Sequence, residues 1–173
     1  MASKASKKRS RPPLVRQSDG RYRVRVPLLG EAEILAVAEQ IIERRFMRQG
    51  AIDSAADCKR FLRAKLITQD REQFGCLFLD RRHRIIAWEV LFQGTVDGCA
   101  VYQREVARRA LLLNSSAIVL AHQHPSGDPT PSPADRRITR ELRTVLAMLN
   151  IDLLDHVVVG RDEVVSLGER GLL

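Results

Sequence analysis

The apolar positions near the start of the chain follow the period of an α-helix. Between Glu31 and about Arg48 they recur every three to four residues, which predicts an amphipathic helix that ends near Gly50. The segment Ser54-Ala-Ala-Asp57 then has the form of a helix start signal, in which a serine caps the first turn. We therefore predict a second, short helix that reaches about Ala64, and we expect both helices to form a lead-in packed on the domain that follows.

Beyond this lead-in, short apolar runs alternate with longer helical patterns. The apolar runs predict strands over Phe74–Leu79, Ile85–Phe92, Ala117–Ala121, Leu153–Val159 and Val164–Leu167. The helical periods predict one helix over Val101–Leu113 and another to about Leu149, opened by Ser132 as N-cap and by the proline after it. A polar turn joins the first two strands as a hairpin. This order predicts an α/β fold, with a mixed β-sheet flanked by helices.

The basic charge of the chain is concentrated at its N-terminus. The 173 residues carry a net charge of +8, and residues 1–26 contain nine basic side chains and one acidic one, so residues 27–173 are formally neutral. We expect residues 1–26 to be a basic disordered tail, which is either a solvated leader or a weak contact with nucleic-acid phosphates. The predicted organisation is this tail, a helical lead-in over 27–68 and a main domain over 69–173.

Hydropathy and cysteine content indicate the cellular compartment in which we expect the protein. The sequence has no run of about 20 apolar residues, so a membrane span is not expected. The three cysteines, Cys58, Cys76 and Cys99, are odd in number and widely spaced. Reduced thiols in a cytoplasmic protein are the interpretation that this spacing favours.

The segment that follows the central predicted strand carries the strongest chemical signal. His122 and His124 are two residues apart in an extended segment, so both side chains project to one face. Asp135 falls at the third position of the helix that Ser132 opens, where a carboxylate can point back across the turn. Two histidines and a carboxylate are ligands typical of a catalytic zinc ion, which takes three protein ligands and leaves a fourth position open.

The spacing H-x-H-P-x6-S-x-x-D resembles the JAMM motif of MPN-domain metalloproteases. It is still more similar to the RadC family of bacterial proteins, whose version reads HxHPSGxxxPSxxD. The likeness covers about residues 31–173 and includes the stretches Arg71–Phe74, Gly94-Thr95, Arg104–Val106 and Asp155–Gly160. RadC relatives also carry an N-terminal helix-hairpin-helix region, which we expect this short chain to lack, and an asparagine where Gln123 stands here.

This resemblance implies an MPN/JAB fold, which has a cytidine-deaminase-like architecture, and a bound Zn²⁺. By the same resemblance, His122, His124 and Asp135 are the zinc ligands, and Ser132 is the serine that supports the substrate oxyanion or the bound water.

Three upstream glutamates compete for the role of general base. Glu72 opens a predicted strand much as the JAMM glutamate does, and a strand end beside the metal strand can reach a bound water, so we favour it. Glu89 lies inside the second strand and is expected to face solvent, because a buried unpaired carboxylate is costly. Glu105 is expected to pair with an arginine one helical turn away. His156 is interpreted as a buried strand residue with local hydrogen bonds, with a contact to a ligand as the intermediate alternative and metal binding as the least favoured one.

These features predict a zinc-dependent hydrolase of the peptidase or isopeptidase type that acts on a peptide or protein substrate. The alternative is a DNA-repair-associated or DNA-binding accessory protein in which the zinc site is structural or vestigial. A nucleobase deaminase would need the signature H-x-E…P-C-x-x-C, which the sequence lacks.

Overall fold

The computed structural model describes residues 14–17, 21–24, 30–38, 41, 54–94 and 100–173. The chain divides into two compact units, residues 1–41 and residues 42–173. None of the described helices is long and apolar enough to cross a membrane.

The first unit contains a short antiparallel hairpin and a helix. Strand β1 (Leu14–Arg16) pairs with β2 (Tyr22–Val24), and Val15 lies opposite Arg23. The expectation that residues 1–26 are disordered is therefore wrong for these strands. Apolar and polar residues alternate from Arg21 to Val26, after the turn-favouring dipeptide Asp19-Gly20, but the high charge of residues 1–26 favours disorder. Helix α1 covers residues 31–38, and the rest of the tail and most of the predicted helix beyond residue 38 lie outside the described residues.

The second unit is built on a five-stranded mixed sheet with helices on both faces, which confirms the predicted fold class. The strands are β3 (Gln73–Leu79), β4 (Ile85–Gln93), β5 (Ala117–Gln123), β6 (Asp152–Val159) and β7 (Val164–Ser166), in the order β4-β3-β5-β6-β7. The helices are α2 (Ala55–Leu66), α3 (Gln103–Leu112) and α4 (Pro133–Met148). Only β5 and β6 are parallel neighbours, and α4 is the crossover between them.

The two faces of the sheet bury two separate apolar clusters. Helix α2 covers one face with Cys58, Phe61, Leu62 and Leu66, which pack on Leu77, Leu79, Ala117, Val119, Ala121, Val157 and Val159. Helices α3 and α4 cover the other face, where Val106, Ala110, Leu142 and Leu146 pack on Phe74, Cys76, Phe78, Ile118, Leu120 and Ile151. Because side chains alternate along a strand, His122 projects to the α3–α4 face and Gln123 to the α2 face.

The end of β5 and the start of α4 are joined by a loop that packs closely on the end of β6. The amide of His124 donates to the carbonyl of Val159 at 3.1 Å, and the amide of Arg161 donates to the carbonyl of Gly127 at 3.0 Å. A Cβ placed on Gly160 would lie 2.5 Å from that same carbonyl oxygen and 2.7 Å from the ring of Pro129. The absence of a side chain at residue 160 therefore allows the loop to lie against β6.

We expect Gly160→Ala to destabilise the fold by about 1–3 kcal/mol, since the new methyl group overpacks against backbone that cannot rotate away. Chemical denaturation followed by far-UV circular dichroism measures the loss. Gly168→Ala is the matched control, because the atoms nearest to its Cβ would be side-chain atoms, of Leu173 at 3.0 Å and Asp155 at 3.1 Å. Equal stability losses in the two variants would contradict the close loop packing at Gly160.

Candidate metal site

Three side chains converge where β5 ends and α4 begins. The Nε2 atoms of His122 and His124 are 3.0 Å apart. The Asp135 carboxylate lies 3.2 Å from Nε2 of His122 through Oδ1 and 3.5 Å from Nε2 of His124 through Oδ2. At zinc–ligand bonds of 2.0–2.1 Å, neighbouring corners of a tetrahedron are about 3.3 Å apart. The three donor groups therefore fit a small tetrahedral ion, and they are the one such group found among the described residues.

The first turn of α4 fixes the position of Asp135. Ser132 caps the helix: its hydroxyl accepts from the amide of Asp135 at 3.1 Å, and its own amide donates to Asp135 Oδ2 at 2.7 Å. The Ser132 hydroxyl also lies 2.6 Å from Oδ2, to which it donates. Although burial acts to raise the pKa of Asp135, its hydrogen bonds with His122 and His124 hold that pKa well below its ordinary value. The carboxylate is therefore ionised and ready to bind a cation.

Both histidines have a hydrogen-bond acceptor on the ring nitrogen that faces away from the site. Nδ1 of His124 lies 2.7 Å from the carbonyl oxygen of Asp128. Nδ1 of His122 lies 2.9 Å from Nε2 of His156. When each Nδ1 carries the proton and donates it to these partners, each Nε2 is left with a free lone pair directed at the candidate site.

The contact of His122 continues through a buried chain of hydrogen bonds. If Nε2 of His156 accepts from His122, then Nδ1 of His156 carries a proton, and it lies 2.6 Å from the Thr139 hydroxyl oxygen. That hydroxyl donates to the backbone carbonyl of Asp135 at 2.5 Å. Burial, together with the charge of His122, lowers the pKa of His156 well below its ordinary value, so its ring is neutral. The chain thus links two of the three candidate ligands and has one consistent direction of donation.

Phe74 shields this buried network on the β3 side. Its ring stacks on His122 with a centroid separation of 6.0 Å and an interplanar angle of 15°. It also meets His156 edge-on at 5.5 Å. His122 and His156 are fully buried, whereas the side chain of His124 is 19% exposed. The candidate site is therefore open to solvent on the His124 side.

The strand register places Glu72 on that open side. Strands β3 and β5 are antiparallel and their last pair is Phe74–His122, so the same register continued by two residues would bring Glu72 opposite His124. Residues directly opposite in an antiparallel pair share a face of the sheet. The hydrogen bond with Asp135 raises the pKa of His124 against the opposing effect of burial, and the charge of Glu72 contributes to the rise. Glu72 is thus near the candidate ligands.

The other two upstream glutamates are engaged elsewhere. Glu89 accepts two hydrogen bonds of 2.5 Å from the guanidinium of Arg109, and this pairing lowers the pKa of Glu89. Its side chain is partly buried in this ion pair, whereas the sequence predicts that Glu89 faces solvent. The reason is that α3 packs over β4 and brings a cation to it. Glu105 pairs with Arg108 at 2.9 Å, as the helical spacing predicts.

Comparison with known proteins agrees with this fold. Residues 52–172 match the family described as the RadC-like JAB domain. The chain belongs to this family. It is 51% identical over 140 residues to a UPF0758 protein of Thioalkalivibrio sulfidiphilus, an alignment that covers 81% of this chain and 62% of the relative. It is also 47% identical over 143 residues to a UPF0758 protein of Vibrio cholerae, which covers 83% of this chain and 90% of the relative.

This RadC-like JAB domain brings together the residues that the sequence predicts for the site. It also contains two contacts that the sequence does not predict. His122, His124, Asp135 and Ser132 lie in one cluster, and the charge of Glu72 acts on His124. His156 contacts the candidate ligand His122. This is the intermediate of the three alternatives for His156, between local hydrogen bonds and metal binding. The role of Thr139 is not predicted from the sequence, although its position one helical turn after Asp135 indicates that the two residues lie on the same side of α4. The side-chain contacts of Gln123 with the segment around Glu72 were missed as well.

We expect Thr139→Val, which keeps the side-chain shape but removes the hydroxyl, to weaken zinc binding about 10- to 100-fold. The physical reason is that His156 loses its acceptor and no longer holds His122 in one orientation. Zinc affinity is measured by competition with a chromophoric chelator, and Asp135→Ala marks complete loss.

Thr144→Val is the matched control for this experiment. Thr144 lies on the same helix, and its exposed hydroxyl donates to the carbonyl of Arg140 in the same one-turn pattern, at 3.0 Å. Its removal should leave zinc affinity unchanged. Wild-type affinity in Thr139→Val would show that the buried chain does not support the ligands.

Proposed function

We propose that this protein is a zinc-dependent hydrolase that cleaves peptide or isopeptide bonds. One observation carries the proposal: two imidazoles and a carboxylate converge at 3.0–3.5 Å, with a second carboxylate, that of Glu72, just before the facing strand β3. Structural zinc sites are normally closed by four protein ligands. Three protein donors with solvent access at His124 favour a catalytic site over a structural one.

The donor set favours zinc among the common metal ions. Zinc accepts imidazole nitrogen and carboxylate oxygen in a four-coordinate site, whereas magnesium and calcium prefer six or more oxygen ligands. A zinc ion held by His122, His124 and Asp135 would lower the pKa of a bound water towards neutrality and polarise a carbonyl group.

Glu72 is the residue that we propose as general base. Its carboxylate would accept a proton from the attacking water and later deliver that proton to the nitrogen of the departing amine. Its location just before β3, near enough for its charge to act on His124, supports this role, because a base must come within hydrogen-bond reach of the water that it activates. The engagement of Glu89 by Arg109 and of Glu105 by Arg108 supports the same choice.

Ser132 has a suitable position for a second role. Its hydroxyl donates to Asp135 Oδ2, but the same oxygen also accepts the Ser132 amide at 2.7 Å. The hydroxyl can therefore rotate towards a developing oxyanion without leaving that carboxylate oxygen unpaired. We propose that it stabilises the negative charge on the carbonyl oxygen during attack.

The thiols are consistent with a reducing compartment, and we propose the cytoplasm. Cys58 and Cys76 are free and buried. Burial raises the pKa of the Cys58 thiol to about 12 and that of Cys76 further still, so neither is a ready nucleophile. The chemistry of the domain therefore does not depend on them.

We expect Glu72→Gln to retain zinc and to lose hydrolytic activity by about 10²- to 10⁴-fold, since an amide accepts no proton from the water. Zinc content is measured by elemental analysis. Hydrolysis is measured with a pool of quenched-fluorescence peptides and a lysine isopeptide substrate. Glu105→Gln is the matched control and should keep the wild-type rate. An unchanged rate in Glu72→Gln would transfer the base role to another group.

Contact with nucleic acid remains a separate proposal that rests on the basic residues 1–26. Replacing Lys4, Lys7, Lys8, Arg9 and Arg11 with glutamine should reduce the slope of log binding constant against log salt by about 0.9 for each phosphate that the chain no longer neutralises. Filter binding of a duplex DNA at several salt concentrations measures this slope. An unchanged slope would place any nucleic-acid binding on another surface.

A further inference from the structure

We infer that Gln123, the residue between the two candidate histidine ligands, is a positioning residue that holds Glu72 beside the metal site. This inference rests on the function proposed above. Gln123 projects to the face of the sheet opposite to His122 and His124, and it is buried with 5% of its surface exposed. A buried carboxamide needs hydrogen-bond partners, and those of Gln123 are the starting observation.

The side chain of Gln123 contacts the backbone on both sides of Glu72. Its Oε1 accepts from the amide of Gln73 at 2.9 Å. Its Nε2 donates to the carbonyl of Arg71. One carboxamide therefore clamps the peptide units before and after the proposed base.

These two contacts lie just beyond the last paired residues of β3 and β5. The ladder between the two strands ends at the pair Phe74–His122, and past that point the carboxamide of Gln123 ties residues 71 and 73 to β5. On the β4 side, the amide of Gly94 donates to the carbonyl of Glu72 at 2.7 Å. The backbone on both sides of Glu72 is thus held by Gln123 and by Gly94.

The clamp requires both a donor and an acceptor at the end of a side chain long enough to cross between strands. Glutamine supplies the two groups on one planar carboxamide, whereas glutamate of the same length has no donor when ionised. The positioning matters because a displacement of about 1 Å can lower the rate of a reaction about 10²-fold. Gln123 would therefore influence the reaction through Glu72 while it binds neither metal nor substrate.

Amide hydrogen exchange of the zinc-loaded full chain, followed by NMR, tests the contacts directly. We expect Gln123→Ala to speed exchange at the Gln73 amide by about tenfold or more, because that amide no longer has its acceptor. Gln123→Glu should keep Gln73 protected while it removes the donor to Arg71. Gln93→Ala is the matched control: this exposed glutamine lies opposite Gln73 on β4, and its replacement should not alter exchange there. Unchanged protection of Gln73 in Gln123→Ala would overturn the inference.

A double-variant cycle separates positioning from a general structural role. Gln123→Ala should keep wild-type zinc content, and its kcat with the quenched peptides should fall about 10²-fold. In the Glu72→Gln background the same change should lower kcat no further, since the residue that it positions is already inactive. Gln123→Glu should show a smaller loss, and it serves as the test if the alanine variant does not fold. Equal losses in both backgrounds, or wild-type kcat in both variants at residue 123, would overturn the inference.

Failure of the proposed function is recognised separately. A wild-type protein that binds zinc but cleaves none of the probes would overturn both the hydrolase proposal and the base-positioning role. Faster exchange at Gln73 would in that case still show that Gln123 holds residues 71–73. Active wild type with an insensitive Gln123→Ala would overturn the positioning role alone.

Discussion

The candidate site depends on the tautomers of two imidazole rings. A neutral histidine has one lone pair to offer, and it faces the site only if the other ring nitrogen is protonated and has an acceptor. Here the carbonyl of Asp128 is the acceptor for Nδ1 of His124, and Nε2 of His156 is the acceptor for Nδ1 of His122. The acceptor for His122 works only because His156 donates onward to Thr139, which in turn donates to the backbone of Asp135. The orientation of the rings is thus built into the packing of β6 and α4 against β5.

The two faces of the sheet contribute different residues to the site. The α3–α4 face carries the candidate ligands, while the α2 face carries Gln123, whose side chain ties the Glu72 segment to β5. Because residues alternate along a strand, the sequence His122-Gln123-His124 serves both faces at once. The residue between the two histidines is therefore a constrained position, even though it does not point at the site.

The sequence predicted those parts of the site that depend on local geometry. Strand alternation puts His122 and His124 on one face, and the cap at Ser132 sets Asp135 in the first turn of α4. The contact between His122 and His156 is different, because it depends on which strands become neighbours. It forms because β5 and β6 are parallel with Leu120 opposite His156, and no pattern within either strand specifies that pairing. The hairpin over β1 and β2 was missed for another reason: its few apolar residues are surrounded by arginines, and composition favoured disorder.

Charge balance adds an argument for a second carboxylate at the open side of the site. A divalent ion bound by two neutral imidazoles and one carboxylate leaves one unit of positive charge in a partly buried location. Asp135 supplies the single negative charge in direct contact, and the hydrogen bonds of Ser132 hold it in place. Glu72 immediately precedes the facing strand β3, where its charge acts on His124. A carboxylate at this position balances the charge of the ion and can also accept a proton. The electrostatics of the site and its proposed chemistry therefore both favour a carboxylate at residue 72.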